Sequence, residues 1–154
     1  MEYFLITKSG NRDINEDYIH ALKHDNINIF ILADGLGGHG HGEIASKEAT
    51  NAVIDYFISN KEDDMASLNG CFQAAHYKLK EMQKQIDNTS FFKTTLVLLI
   101  ITDEFCIWGS IGDSRIYHFE SKKIIERSMD HSVPQMLVNA GKIKERHIRH
   151  HEDR

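Results

Sequence analysis

Apolar and polar positions change period several times along the chain, and each change predicts an element. Residues 3–7 are mostly apolar and read as a short strand, after which Gly10-Asn11 turns the chain. Residues 18–22 and 27–33 read as a hairpin pair separated by the polar stretch 23–26. The second arm, Ile-Asn-Ile-Phe-Ile-Leu-Ala, becomes continuously apolar, as in a strand buried on both faces. A glycine-rich loop covers residues 35–42. A helix is expected over 43–59, where Ala45, Ala49, Ala52, Val53 and Tyr56 keep to one face. A second helix is expected over 65–86, because Met65, Leu68, Phe72, Ala75, Leu79, Met82 and Ile86 recur at steps of three and four. That seam would also suit a coiled coil, but a helix packed on its neighbour is the commoner use. Strands are then predicted over 94–102, 105–111, 115–120 and 123–127, with hairpin-like turns at 102–104 and 120–122. Residues 132–140 read as a short helix with Ser132 as N-cap, Pro134 in the first turn and Gly141 at its end. The polar, His-rich stretch from Lys144 onward reads as helical. Strands, then two helices, then strands imply a layered α+β domain, not alternating βαβ units.

Composition narrows the class. With 154 residues, 41% hydrophobic and 27% charged, the chain is long enough for one domain with its own core. A net charge of -5 gives no electrostatic footprint for nucleic acid. No basic amphipathic stretch suits an anionic membrane surface, and the apolar run 96–101 is far too short to span a bilayer. The first residues lack the basic region and cleavage site of a signal peptide, so a cytoplasmic protein is expected. Cys71 and Cys106 both lie in apolar patterns and are expected to be reduced core thiols.

Five stretches could carry chemistry. In Arg12-Asp13-Ile14-Asn15-Glu16-Asp17, Arg12 offers a fork of donors suited to a phosphate, and Glu16 and Asp17 offer hard oxygen ligands for Mg2+ or Mn2+. Such a stretch is otherwise a solvated loop. In Ala33-Asp34-Gly35-Leu36-Gly37-Gly38-His39-Gly40, a carboxylate closes a buried strand and the glycines let backbone approach a ligand. The same residues match the dinucleotide spacing, but the acid about twenty positions on, Asp55, falls inside a predicted helix, and Asp34 would repel a pyrophosphate. Gly112-Asp113 in Gly109-Ser110-Ile111-Gly112-Asp113-Ser114-Arg115 places a carboxylate at a turn, where Asp and Gly are also ordinary turn formers. Asp130-His131-Ser132 would permit a nucleophilic reading, yet hydrolytic triads assemble from distant positions and Ser132 is better explained as a cap. His147, His150 and His151 have zinc-like spacing without a further ligand, which favours an exposed polar helix end.

Taken in order, Arg-x-x-Asn-Glu-Asp, Ala-Asp-Gly-x-Gly-Gly-His, Thr-Thr, Gly-Asp-Ser-Arg and Asp-His-Ser closely resemble the metal-dependent protein phosphatases of type 2C, the PPM family, in a bacterial-like version. The resemblance implies an α-β-β-α layered β-sandwich flanked by antiparallel helices, hydrolysing phosphoserine and phosphothreonine in proteins. It implies two Mn2+ or Mg2+ ions and a third, weaker site. Asp34 would bridge two metals, Gly35 would add its backbone carbonyl, and Glu16 and Asp17 would bind directly or through water. Arg12 would grip the substrate phosphate, and Asp113 would join the third site. Two divalent ions would activate a water and neutralise charge on phosphorus, with no nucleophilic side chain needed. Leu36 stands where many eukaryotic members have a histidine proposed as general acid, so that role does not transfer, and His39 is no substitute. Lys93-Thr94-Thr95 replaces the usual Gly-Thr-Thr.

Family members also carry later Asp-Gly and Asp-Asn motifs that complete the metal centre. Neither occurs after Asp130, where the acids are Glu145, Glu152 and Asp153. Residues 1–154 therefore read as a single partial phosphatase domain, incomplete at its C-terminal end, with weak metal binding and little turnover. Phosphorylated substrates of a serine/threonine kinase are the expected partners, with self-association through exposed sheet edges. The rival reading is a non-catalytic phosphoprotein-binding or regulatory module.

Overall fold

The computed structural model describes residues 1–36, 41–60, 65–86 and 92–152. Strands β1 (Asp17–His24) and β2 (Ile27–Asp34) form a hairpin. Asp25, at φ 54°, makes the tight turn, a conformation Asp tolerates better than most residues. Helices α1 (Gly42–Asn60) and α2 (Met65–Ile86) follow, then β3 (Leu96–Ile101) and β4 (Cys106–Ile111). A second hairpin joins β5 (Tyr117–Glu120) to β6 (Lys123–Arg127), turning on Ser121 and Lys122, both left-handed. The described chain closes with α3 (Val133–Asn139) and a 3-10 helix, Glu145–His150.

The main sheet is antiparallel in the order β1-β2-β3-β4, and β5-β6 is a separate two-stranded sheet. Strand alternation decides which residues meet the helices. Ile29, Ile31 and Ala33 of β2 point to the same face as their neighbours' Leu96, Leu98 and Ile100, and all six are buried. Ala49, Val53 and Phe57 of α1 and Leu68, Cys71 and Ala75 of α2 fill the space against them. Burying each large apolar side chain contributes about 1.5–3 kcal/mol, so this helix-on-sheet layer holds the fold. The buried hydroxyls of α1 are satisfied, Ser46 donating to the Glu16 carbonyl at 2.6 Å and Thr50 to the Ser46 carbonyl at 2.9 Å.

The other face of the sheet presents Ile19, Ala21, Phe30, Leu32, Leu99 and Trp108 and is only partly covered; Leu32 is 37% exposed. Double-sided burial of β2 is thus replaced by alternation, since helices pack on one face only. Residues 3–7 are a second correction. They form no strand and are exposed, having no ladder partner among the described residues, although Tyr3 sets its ring edge-on to Phe30 at 5.1 Å. Third, Cys106 is exposed, because it opens an edge strand, whereas Cys71 is buried and its thiol is pushed up to about 12 by that burial. The helix expected over 65–86 has those same bounds. Among the described residues, no helix is long and apolar enough to cross a membrane.

Candidate functional site

Hairpin register brings the first two candidate carboxylates together. Asp17 opens β1 and Asp34 closes β2, and they are direct cross-strand partners. Like charges so placed repel. Burial above all holds the Asp34 carboxyl above its ordinary range, with the charge of Asp17, a hydrogen bond to Asp17 and the charge of Asp113 acting the same way. Arg12 opposes them. Asp34, Asp17 and Asp113 thus share one electrostatic neighbourhood although they come from three stretches of chain.

Backbone pairing fixes that neighbourhood. The Asp34 N–H donates to Thr95 Oγ1 at 3.1 Å, and the Thr95 N–H donates to the Asp34 carbonyl at 2.8 Å. Thr95 Oγ1 also meets Ser114 Oγ at 2.7 Å. One threonine therefore ties the Asp34 strand end to the residue after Asp113. Gly112, at φ 102°, turns the chain there, and a methyl group on it would lie 2.7 Å from Thr95 Cγ2. Gly35 donates its N–H to the Glu16 carbonyl at 3.1 Å, and it packs so tightly on Gly42 that a side chain would overlap the Gly42 carbonyl.

Glu16 has a different setting from Asp17, as expected for successive residues entering a strand. Its carboxylate accepts from Arg12 Nη1 at 2.6 Å and packs against Gly42 at the start of α1. Arg12 is 69% exposed and Glu16 only 12%, so a half-buried acid anchors an arginine that still reaches solvent. Arg12, Glu16, Asp17 and Asp34 all line one small cavity of about 210 Å³.

Arg12, Asp34, Gly35 and Asp113 also line a wider cleft of about 1060 Å³, with Thr95, His131 and Arg149 among its other walls. Leu36 lines it and is 60% exposed. Residues 37–40, His39 included, lie outside the described residues. Among the described residues, no three His, Cys, Asp or Glu side chains converge closely enough to hold a metal ion unaided. The crowded carboxylates fit a hard divalent cation in chemistry and charge, but cover only part of a sixfold shell.

The Asp130-His131-Ser132 stretch is structural on its two outer residues. Ser132 caps α3, accepting from the Gln135 N–H at 3.3 Å. Asp130 accepts two hydrogen bonds from Arg115, at 2.5 Å each. His147 and His150 are exposed on the 3-10 helix. Arg115 and Thr95 sit within motifs, but their partners lie 15 and 19 residues away, so no local pattern reveals what they do.

A family profile described as Protein phosphatase 2C matches residues 8–134. The chain belongs to the protein phosphatase 2C family. It is 34% identical over 150 residues to Protein phosphatase PhpP of Streptococcus pneumoniae, covering 93% of this chain and 60% of that protein. The fold matches serine/threonine phosphatase Stp1 from Staphylococcus aureus with a TM-score of 0.85 at 26% identity, covering 96% of this chain and 61% of that one. The catalytic domain of the serine threonine protein phosphatase PstP, in complex with two manganese ions, matches with a TM-score of 0.74 at 27% identity, over 88% and 57% of the two chains. The mixed helix–sheet class expected from the sequence is the fold of these phosphatases. This member spans about 60% of the length of the curated relatives it matches.

Proposed function

We propose that this chain contributes the Arg12–Asp34 side of a site for metal-dependent hydrolysis of phosphoserine and phosphothreonine in proteins. The observation that carries the reading is the Asp17–Asp34 pair, set cross-strand in register beside a cleft that also holds Asp113 and Arg12. Asp17 and Asp34 would hold Mn2+ or Mg2+, aided by the Gly35 carbonyl, Asp113 would join a further, weaker site, and Glu16 would reach a metal only through water because its carboxylate is given to Arg12. When bound, such ions lower the proton affinity of a water and offset charge on a phosphoryl group. Arg12 orients the phosphoryl oxygens with its remaining N–H donors, and Glu16 restrains the guanidinium while it does so. The Asp34–Thr95–Ser114 hydrogen bonds hold the two carboxylate-bearing loops in place as the substrate enters.

Three aspartates leave much of each coordination shell to water, so the 154 residues alone are expected to turn over slowly. The natural substrates would be proteins phosphorylated by a serine/threonine kinase in the cytoplasm. The partly open face around Leu32 and Trp108, with edge strands β1 and β4, supports self-association.

The decisive experiment is Mn2+-dependent release of phosphate from a phosphothreonine peptide by the wild type and by Asp34→Ala. Turnover that needs both Mn2+ and Asp34 supports the enzyme reading. Peptide binding without any Mn2+-dependent turnover would favour the second reading, a phosphoprotein-binding module, for which the solvent-reaching guanidinium of Arg12 is the supporting observation.

A further inference from the structure

The cleft is larger than the chemistry proposed for it requires. A phosphorylated serine or threonine side chain would fill a small part of about 1060 Å³, a volume at the top of the range for whole small-molecule sites. The remainder has room for residues flanking the phosphorylated one. What lines that remainder decides which flanking residues it suits.

One lining residue, Arg149, differs from the other described arginines. Arg12 pairs with Glu16, Arg115 with Asp130 and Arg127 with Glu145, while Arg146 directs its Nε to His147. Among the described residues, Arg149 has no carboxylate or hydrogen-bond acceptor. Its backbone is nonetheless fixed. It follows Ile148, which is 6% exposed and pins the 3-10 helix Glu145–His150, and that helix packs against α3. The His151 N–H closes the turn on the Ile148 carbonyl at 3.2 Å. A permanently charged donor fork is thereby carried on a held segment to the wall of a cleft that Asp34 and Asp113 also line, in a chain of net charge -5.

We infer that Arg149 is a specificity-determining residue that binds an anionic group next to the phosphorylated residue, making acidic phosphopeptides the preferred ligands of the cleft. This rests on the phosphatase reading for the identity of the first group, the phosphoserine or phosphothreonine. The second anion is a glutamate or aspartate side chain, or a second phosphate; the fork accepts either geometry. Asp34 and Asp113, which line the same cleft, repel that second anion, while Arg149 attracts it.

The test uses the full 154-residue chain with Mn2+ and three fluorescein-labelled phosphothreonine peptides of the same length. One has alanine flanks, one glutamate flanks and one a neighbouring phosphoserine. Anisotropy titrations give Kd, and KM and kcat are measured for any peptide turned over. The wild type is expected to bind at least one anionic peptide about tenfold more tightly than the alanine peptide, the scale of one charge-assisted hydrogen bond. Arg149→Gln should collapse that ratio to within about twofold, and Arg149→Lys should restore part of it. The glutamate and phosphoserine arms separate the two sources of the anion. Where turnover is seen, the change should lie in KM rather than kcat. Equal binding of all three peptides by the wild type, a ratio that survives Arg149→Gln, or no binding of any peptide would each overturn the inference. Absence of Mn2+-dependent turnover would sink the catalytic reading alone, since the anisotropy ratios are read without catalysis.

Discussion

Arg115 and Asp130 are joined by two parallel hydrogen bonds, Nε to Oδ1 and Nη2 to Oδ2, each 2.5 Å long. The pair locks the segment after Asp113 to the segment before α3, and the His131 N–H donates to the Gly112 carbonyl at 2.8 Å beside it. Asp130 is 5% exposed and Arg115 27%, so removing one partner strands a charge in a poorly solvated place. Arg115→Ala is expected to cost about 3 kcal/mol. Chemical denaturation would measure it directly, and the melting temperature should fall by roughly 6–12 °C. A loss below about 0.5 kcal/mol would show the pair to be surface decoration.

Asp34 sets the response of the metal-free protein to pH. Its carboxyl is held above the unfolded value by burial first and by Asp17 and Asp113 after that. A raised carboxyl stabilises the fold at pH below the unfolded value of about 3.9, and that contribution is lost as pH rises through the folded value. Asp34→Asn mimics the protonated form, so it should match the metal-free wild type in acid and exceed it in melting temperature near neutrality. Mn2+ should raise the wild-type melting temperature at neutral pH but not that of Asp34→Asn, and its effect should fade as acid protonates Asp34. Thermal melts across pH, with and without Mn2+, check each arm. A Mn2+ effect retained by Asp34→Asn would remove Asp34 from the ligand set.

Glu16 is expected to act chiefly through Arg12. Glu16→Gln keeps a hydrogen-bond acceptor but removes the charge that restrains the guanidinium, so KM for a phosphopeptide should rise a few-fold. Arg12→Ala removes the donors themselves and should weaken phosphopeptide binding by about tenfold to a hundredfold. Combining the two substitutions should add little to Arg12→Ala alone. Full additivity in binding titrations would mean that Glu16 has a separate task, such as holding a metal through water.

Gly35 is constrained by close approach, not by an unusual φ. A methyl group there would overlap the Gly42 carbonyl and come within 2.8 Å of the Glu16 carbonyl oxygen, both backbone atoms that cannot rotate away. Gly35→Ala should therefore cost on the order of 1–3 kcal/mol and disturb the β2–α1 junction that carries Asp34. Denaturant unfolding gives the first quantity, and loss of the Mn2+ melting shift gives the second.

Much of this protein was legible in one dimension. The three-and-four seam of α2 is a property of neighbouring residues, and the helix forms over the whole predicted span Met65–Ile86. The hairpin signals around Asp25 and around Ser121-Lys122 depend on a few adjacent positions and were equally readable. The motif order singled out Arg12, Asp17, Asp34 and Asp113 by resemblance; the fold sets Arg12, Asp34 and Asp113 along one cleft and Asp17 opposite Asp34. Tertiary structure decided the rest. Residues 3–7 have strand-like composition, but a strand exists only with a ladder partner, and none is present among the described residues. Glu16 and Asp17 are adjacent acids in the sequence; strand alternation sends one to Arg12 and sets the other opposite Asp34. Arg115 finds Asp130 and Thr95 finds Ser114 only after the sheet closes. Local periodicity indicates which elements can form, because it records which side of each must avoid water. Which carboxylates share a site, and which arginine lines the cleft without an acid partner among the described residues, depends on contacts between residues far apart in sequence, which only the folded chain brings together.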